Sequence, residues 1–187
     1  MMNKREQIYK AALTLFNKNG FDKTPTSQIA KEAGVAIGTL FHYFKTKEEL
    51  INSLYLKCKE SMIEKIMDGT GEEKTFKGKI KRLYINFLKW GLECTDEFMF
   101  FQQFSNSVYI YDTTRAEGKN KFEVLMVFLK EGTEKEIIKN TPTDYLLTVT
   151  ATIMMSNINY LIANQQLMEN DEFIEQTFSV LWDSVKN

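Results

Sequence analysis

The chain holds one histidine, His42, and two cysteines, Cys58 and Cys94, so few groups are available for imidazole or thiol chemistry. The cysteines lie outside any C-x-x-C pair, and with a single imidazole they cannot make a zinc ligand set. They read as small packing residues. No G-x-S-x-G, H-E-x-x-H or phosphate-loop pattern occurs, and an enzyme would need converging acid, base or nucleophile groups. No catalytic residue, metal or cofactor is expected. The stretch that can do specific chemistry is residues 25–44, PTSQIAKEAGVAIGTLFHYF. It reads as two short helices joined by a tight turn. Ile29 faces a core, and Ala30 permits a close helix contact. Ala33-Gly34 stops the first helix, since glycine tolerates the left-handed backbone of the turn. Val35 fills the angle. Leu40 and Phe44 bury at a four-residue spacing in the second helix. Ala36, Ile37, Gly38 and Thr39 are left exposed at its N-terminal end, and in a helix-turn-helix those positions reach base edges in the major groove.

The elements that must position this stretch are helical. Proline occurs only at 25 and 142, glycine only nine times, and 3.6-residue periodicity runs through the chain, so an all-α protein of about nine helices is expected. The first helix covers Lys4–Asn19, with Asn3 as cap, Asn19-Gly20 as stop, and Ile8, Ala11, Ala12, Leu15 and Phe16 on one face. Thr46 and Glu49 form a capping box for a long helix over Lys47–Met67. Residues 68–73 read as a linker. Further helices are expected over Phe76–Glu93, from a Thr95 cap, over 115–130, from a Thr141-Pro142 start to about 167, and from Asn170 to the end. Residues 1–60 carry ten Lys/Arg against six Asp/Glu, net +4, while residues 61–187 carry fourteen against nineteen, net −5. A basic head on an acidic body points to a polyanion partner for the head alone. Hydrophobic residues make up 43% and charged residues 26%, no window is read as reaching the roughly 18 apolar residues of a membrane span, and the N-terminus lacks an apolar signal region. A cytoplasmic protein with no membrane partner is expected.

The pattern Ala12-Leu13-x-Leu15-Phe16, Gly20-Phe21, Thr24, Ile29-Ala30, Ala33-Gly34-Val35, Gly38-Thr39-Leu40 and His42-Tyr43-Phe44-x-x-Lys47-Glu48-Glu49-Leu50 resembles the TetR family of bacterial transcriptional regulators. The likeness covers about residues 4–55, and residues 95–111 are similar to a segment of some members. It implies a helix-turn-helix DNA-binding domain over 1–46, with its motif at about 25–44, on a helical effector-binding and dimerisation domain over 47–187. It implies contacts to double-stranded DNA at Thr26 and Ser27, whose short hydroxyls suit phosphate oxygens. Gly38 and Thr39 match positions close to the bases, and Ile37 suits a thymine methyl. His42 and Tyr43 match a pair that brackets phosphates, and Lys47 matches a phosphate-binding lysine. Phe41 stands where the family usually has Tyr, which removes one phosphate hydrogen bond, and Ala36 stands where a capping Ser is common. Lys4, Arg5, Lys23 and Lys45 add nonspecific contacts.

The same resemblance implies a homodimer built by the last two long helices. The stripes here are Leu146, Val149, Ile153, Tyr160 and Leu161 on one, and Phe178, Leu181, Trp182 and Val185 on the other. Two-fold symmetry then matches a palindromic operator. Residues 84–128 are rich in aromatic side chains, which with methionines suit an adaptable apolar pocket. Tyr84, Phe87, Trp90, Phe101, Phe104, Met126 and Met154 are its expected walls, with Asn157 or Gln103 as a polar handle. The implied function is a repressor released by a small hydrophobic or aromatic effector. The alternative is a helical ligand-binding module that has lost specific DNA binding, for which Phe41 and Ala36 leave room.

Overall fold

A computed structural model describes residues 3–187; residues 1 and 2, the start of the expected head, lie outside the described residues. Ten α-helices occur among the described residues: α1 Lys4–Asn19, α2 Thr26–Glu32, α3 Ile37–Tyr43, α4 Lys47–Met67, α5 Phe76–Glu93, α6 Thr95–Phe104, α7 Asp112–Asn120, α8 Glu123–Glu134, α9 Thr143–Ala163 and α10 Asp171–Val185. Local chemistry sets several boundaries as expected. The Asn3 side chain accepts from Glu6 N–H, and Gly20 ends α1 at φ +77°. Asn170 caps α10 by accepting from Phe173 N–H at 3.0 Å. Thr46 Oγ1 accepts from Glu49 N–H at 3.0 Å, while the Glu49 carboxylate turns back to Lys45 N–H at 2.7 Å.

Other boundaries differ. The single helix expected over 115–130 is two, α7 and α8. Their buried positions, Thr114 and Gly118 and then Leu125, Leu129 and Gly132, continue at helical spacing, so periodicity cannot reveal the break. The break coincides with the change of core: α7 packs in one compact unit and α8 in the other. α9 stops at Ala163, not near 167. Asn164 leaves the helix and its amide donates back to Tyr160 O at 2.9 Å, after which a 3₁₀ turn covers Gln165–Glu169. Pro142 takes the cap position of α9, with no side-chain cap bond, and the Thr141 hydroxyl lies 3.3 Å from Lys139 O instead. Cys94, not Thr95, is the cap of α6.

The first unit comprises the chain up to Glu60 together with Cys94–Asn120. Ile8, Phe16, Ile29, Leu40, Phe44 and Leu50 fill its interior with Phe98 and Phe100. α6 lies along α1, and Phe104 meets Phe16 edge-on at 6.2 Å between centroids. Gly118 brings α7 against α4: a Cβ there would stand 2.9 Å from Lys59 Cδ and 3.0 Å from Tyr55 Cε1. Lys59 is therefore half-buried, and burial pushes its pKa down to about 8. The unfolded chain binds this proton more tightly, with a pKa of about 10.4, so stability is lowest below the folded pKa and rises with pH up to the unfolded value. The melting temperature is expected to climb between about pH 8 and pH 10, and Lys59→Met to flatten that climb. An equal climb in the variant would assign it to other groups.

The second unit comprises Ser61–Glu93 and Lys121–Asn187. α9 packs on α5, α8 and α10. Gly91 permits the α5–α9 approach, since a Cβ there would stand 2.4–2.8 Å from three side-chain atoms of Ile158, which is fully buried. Gly91→Ala is expected to cost about 1–3 kcal/mol by overpacking, and to lower the melting temperature by about 2–12 °C for a chain of this length. A wild-type melting curve would show that the two helices slide apart freely.

α9 also exposes Tyr145 and Tyr160, two of the large hydrophobic side chains on this unit's surface. Its best 18-residue window has a mean hydropathy of 1.4, yet only 22% of that window is buried. By length and composition it could cross a membrane, contrary to the reading of the sequence. One face, with Leu146, Thr150, Ile158 and Leu161, is the unit's core. The other presents Tyr145 and Tyr160, 59% and 54% exposed, with Thr148, Thr152, Ser156 and Asn159 between them. On α10, Val180 is 61% exposed.

Candidate nucleic-acid interface and ligand cavity

The turn between α2 and α3 forms as its residues dictate. Gly34 takes φ +65°. Val35 N–H reaches Ala30 O at 3.0 Å and Gly34 N–H reaches Lys31 O at 3.1 Å, the bond pair that closes a helix with a left-handed residue. α3 then buries Leu40, with Phe44 immediately after it. Its outer surface carries Ile37, Gly38, Phe41, His42 and Tyr43, all exposed, with Thr39 half-buried. Ala36 caps α3 without a side-chain bond, and the His42 and Tyr43 rings stand nearly perpendicular, 5.4 Å apart. A Cβ on Gly38 would meet nothing within 4 Å. Glycine costs about 1 kcal/mol against alanine in a helix interior, and no packing among the described residues requires it. Thr26 and Ser27 are the first two residues of α2, after a Pro25 cap, so neither hydroxyl is the helix cap.

Lys47 is placed differently from the other expected contacts. Its Nζ donates to Phe21 O at 2.7 Å and to Thr24 O at 3.2 Å, and lies 4.1 Å from the Phe21 ring centroid. Two of its three protons thus fasten the corner between α1 and α2. Arg5 is likewise drawn over the rings of Tyr9 and Phe44, at 5.4 and 5.8 Å. Sequence reading passed over Asn52 and took Tyr109 only as one of the aromatic side chains of residues 84–128. The usable signal was a buried asparagine in the interior of α4, flanked by Leu50, Ile51 and Leu54, because a buried amide must find partners.

In the second unit a cavity of about 60 Å³ is lined by Ile66, Ile80, Leu83, Tyr84, Phe87, Leu125, Phe128, Leu129, Leu147, Thr150, Met154 and Leu181. Of the expected walls it includes Tyr84, Phe87 and Met154. Trp90 and Met126 do not line it, and Phe101 and Phe104 are buried in the first unit. Gln103 also belongs to the first unit, on its surface. The walls are mainly aliphatic, and an aromatic search misses leucines contributed by distant helices. The few polar wall groups are already bonded. Asn157 Nδ2 donates to Tyr84 Oη at 3.0 Å, Tyr84 donates to Thr177 Oγ1 at 2.8 Å, and Thr177 in turn donates to Phe173 O at 2.8 Å. The Thr150 hydroxyl lies 2.9 Å from Leu146 O. Burial raises the Tyr84 pKa, so the hydroxyl stays protonated. One amide proton of Asn157 is thus committed to Tyr84, and Asn157 does not line the cavity.

The expected dimer stripes also need correction. Leu146, Leu161, Phe178, Leu181 and Val185 are buried within the protomer, and Val149, Ile153 and Trp182 are half-buried. Of that set only Tyr160 is exposed, with its ring stacked on Phe173 at 5.9 Å.

A family model described as bacterial regulatory proteins, tetR family, matches residues 8–54. A second, described as the tetracyclin repressor-like C-terminal domain, matches residues 55–187. The chain belongs to the TetR family. It is a DNA-binding transcription regulator with an N-terminal helix-turn-helix and a helical C-terminal domain. Like its relatives, this TetR-family protein is a regulator and not an enzyme. The fatty acid metabolism regulator protein of Bacillus subtilis is 39% identical over 74 residues, 40% of this chain and 38% of that protein. The HTH-type transcriptional regulator PksA of Bacillus subtilis is 28% identical over 85 residues, 46% of this chain and 42% of that one. These matches span less than half of either relative. A tetR family transcription regulator from Shewanella sp. PV-4 shares the fold over 100% of both chains, with a TM-score of 0.93 and 24% identity. FadR from Bacillus subtilis, in complex with stearoyl-CoA, shares it with a TM-score of 0.75 and 23% identity over 94% of this chain and 95% of that one.

Proposed function

We propose that this TetR-family regulator is a dimeric repressor that binds a palindromic operator and leaves it when an apolar chain enters the cavity of the second unit. The observation that carries the DNA-reading part is the outer surface of α3, where Ile37, Gly38, Phe41, His42 and Tyr43 are all exposed. Exposed apolar groups gathered on one short helix signify a binding surface. Residues 1–46 form the reading head and 47–187 the effector and dimer domain. Gly38 lets the α3 backbone approach the duplex, Thr39 lies near the bases, and Ile37 meets a thymine methyl. Thr26, Ser27, His42 and Tyr43 contact phosphates, and Phe41 packs on the sugar-phosphate backbone. Lys47 adds charge and one remaining proton. A regulator of this kind works beside the chromosome, in the cytoplasm.

The second copy covers the exposed face of α9 and Val180 of α10. This places Tyr145, Thr148, Thr152, Ser156 and Tyr160 in the interface and supplies the cover that so apolar a helix needs. A protein pair is the better cover than lipid, because small hydroxyl residues along this face let two backbones approach. An α-helix in each head then meets successive major grooves about 34 Å apart.

The effector is an apolar chain, because the cavity walls are aliphatic and their polar groups are already bonded. The relative that regulates fatty acid metabolism and the fold relative holding stearoyl-CoA support a fatty acyl group. A long chain is larger than the present cavity, so its binding favours a conformation with parted helices. α4, continuous from the head into the second unit, carries that change. Titrating acyl-CoAs of increasing length against the operator complex tests this. Release that strengthens with chain length is expected, and indifference to every length would exclude an acyl effector.

A further inference from the structure

The loop between α6 and α7, residues 105–111, is held to the reading head by contacts that the DNA-binding surface does not use. The Tyr109 ring stacks on Phe21 at 4.2 Å between centroids and 25° between planes. Its hydroxyl donates to the Asp22 carboxylate at 2.5 Å. Its carbonyl accepts from Asn52 Nδ2 at 2.8 Å, and Tyr111 N–H donates to Asn52 Oδ1 at 2.9 Å. The second Asn52 amide proton goes to Glu48 O at 2.8 Å. Asn52 is buried, so its amide is satisfied only while the loop lies in this place. The loop is itself braced: the Arg115 guanidinium donates to the carbonyls of Ser105 and Ser107, and Ile110 is buried beneath it. The corner that Tyr109 grips, Phe21 and Asp22, is the corner that Lys47 fastens from the start of α4, and it leads straight into Pro25 and α2.

We propose that Tyr109 and Asn52 are positioning residues for DNA reading, and that the loop they anchor is a strap fixing the α1–α2 corner on the start of α4. The strap touches no DNA. It limits the orientations from which α2 and α3 can swing, so the head meets the groove already ordered and less conformational freedom is lost on binding. Tyr109 contributes through stacking and one charge-assisted hydrogen bond, and Asn52 through two bonds that link α4 to both ends of the Tyr109–Tyr111 backbone.

This proposal rests on the DNA-reading function, so its test has one readout that needs DNA and one that does not. The full-length protein is compared with Tyr109→Phe, which keeps the stack and loses the Asp22 bond, and with Tyr109→Ala, which loses both. Tyr109 is only half-buried, so both variants should fold, as circular dichroism would verify. Amide hydrogen exchange at residues 26–43 is expected to quicken from wild type to Phe to Ala, with α5 and α9 unchanged. Affinity for the duplex upstream of the protein's own gene is expected to fall about tenfold in the Ala variant with an unaltered salt slope, because no phosphate contact is lost. Wild-type exchange at 26–43 in Tyr109→Ala would overturn the strap, whatever the DNA result. Wild-type affinity per folded protein would overturn its part in DNA reading. Faster exchange in a protein whose wild type does not select that duplex would support the strap as an ordering device and count against the DNA-reading function instead.

Discussion

Val180→Asp combined with Ser156→Asp is expected to convert the protein to a monomer and to lower operator affinity by about 10²–10⁴-fold, the gain that linking two heads provides. Both side chains are exposed on the protomer, so carboxylates there are solvated and cost the isolated fold little. In a dimer the same carboxylates would lose water against apolar or small neighbours. Each head alone would still recognise a half-site, since α3 is untouched. Sedimentation and a gel-shift titration measure the two effects together. A variant that sediments as the wild type does and binds as tightly would place the dimer contact elsewhere and leave the exposed face of α9 without this explanation.

Leu147→Trp is expected to abolish the response to the effector while leaving operator binding intact. Leu147 faces the cavity from α9 and is only half-buried, so a larger ring can occupy the void with limited displacement. At a hundred times its dissociation constant, an effector that binds only the folded wild type should stabilise it by about 2.7 kcal/mol. The filled variant should gain almost none of this. Its melting temperature without effector should stay near that of the wild type, because filling offsets overpacking. Retained stabilisation by acyl chains in Leu147→Trp would mean that they bind at another place.

What could be read from the sequence was what local physics decides. Asn3, Thr46 and Asn170 announce helix starts because a short polar side chain reaches an N–H two or three residues on. Ala30, Gly34, Leu40 and Phe44 define the helix-turn-helix because the turn and both buried positions fall within fifteen residues of one another. The less legible features depend on residues far apart in the chain. Phe178, Leu181 and Val185 form an apolar stripe in the sequence, but periodicity does not say whether α9 of the same chain or a second copy covers it. The cavity is a void among Ile66, Ile80, Leu125, Leu147 and Leu181, whose chain positions carry no mark of their convergence. Lys47 occupies the position of a phosphate ligand, yet its nearest acceptors, Phe21 O and Thr24 O, lie in a loop more than twenty residues earlier. The break between α7 and α8 is invisible because the buried faces on its two sides stay in phase.

The most direct test of the central claim is a gel-shift titration of the full-length protein with the duplex immediately upstream of its own gene. It is run at two salt concentrations beside an unrelated duplex of equal length. Selective binding that weakens as salt rises, and that is lost in Tyr43→Ala, is the predicted result. Equal binding to both duplexes, or none by a folded dimer, would contradict a sequence-reading head and favour a ligand-binding module that has lost its operator.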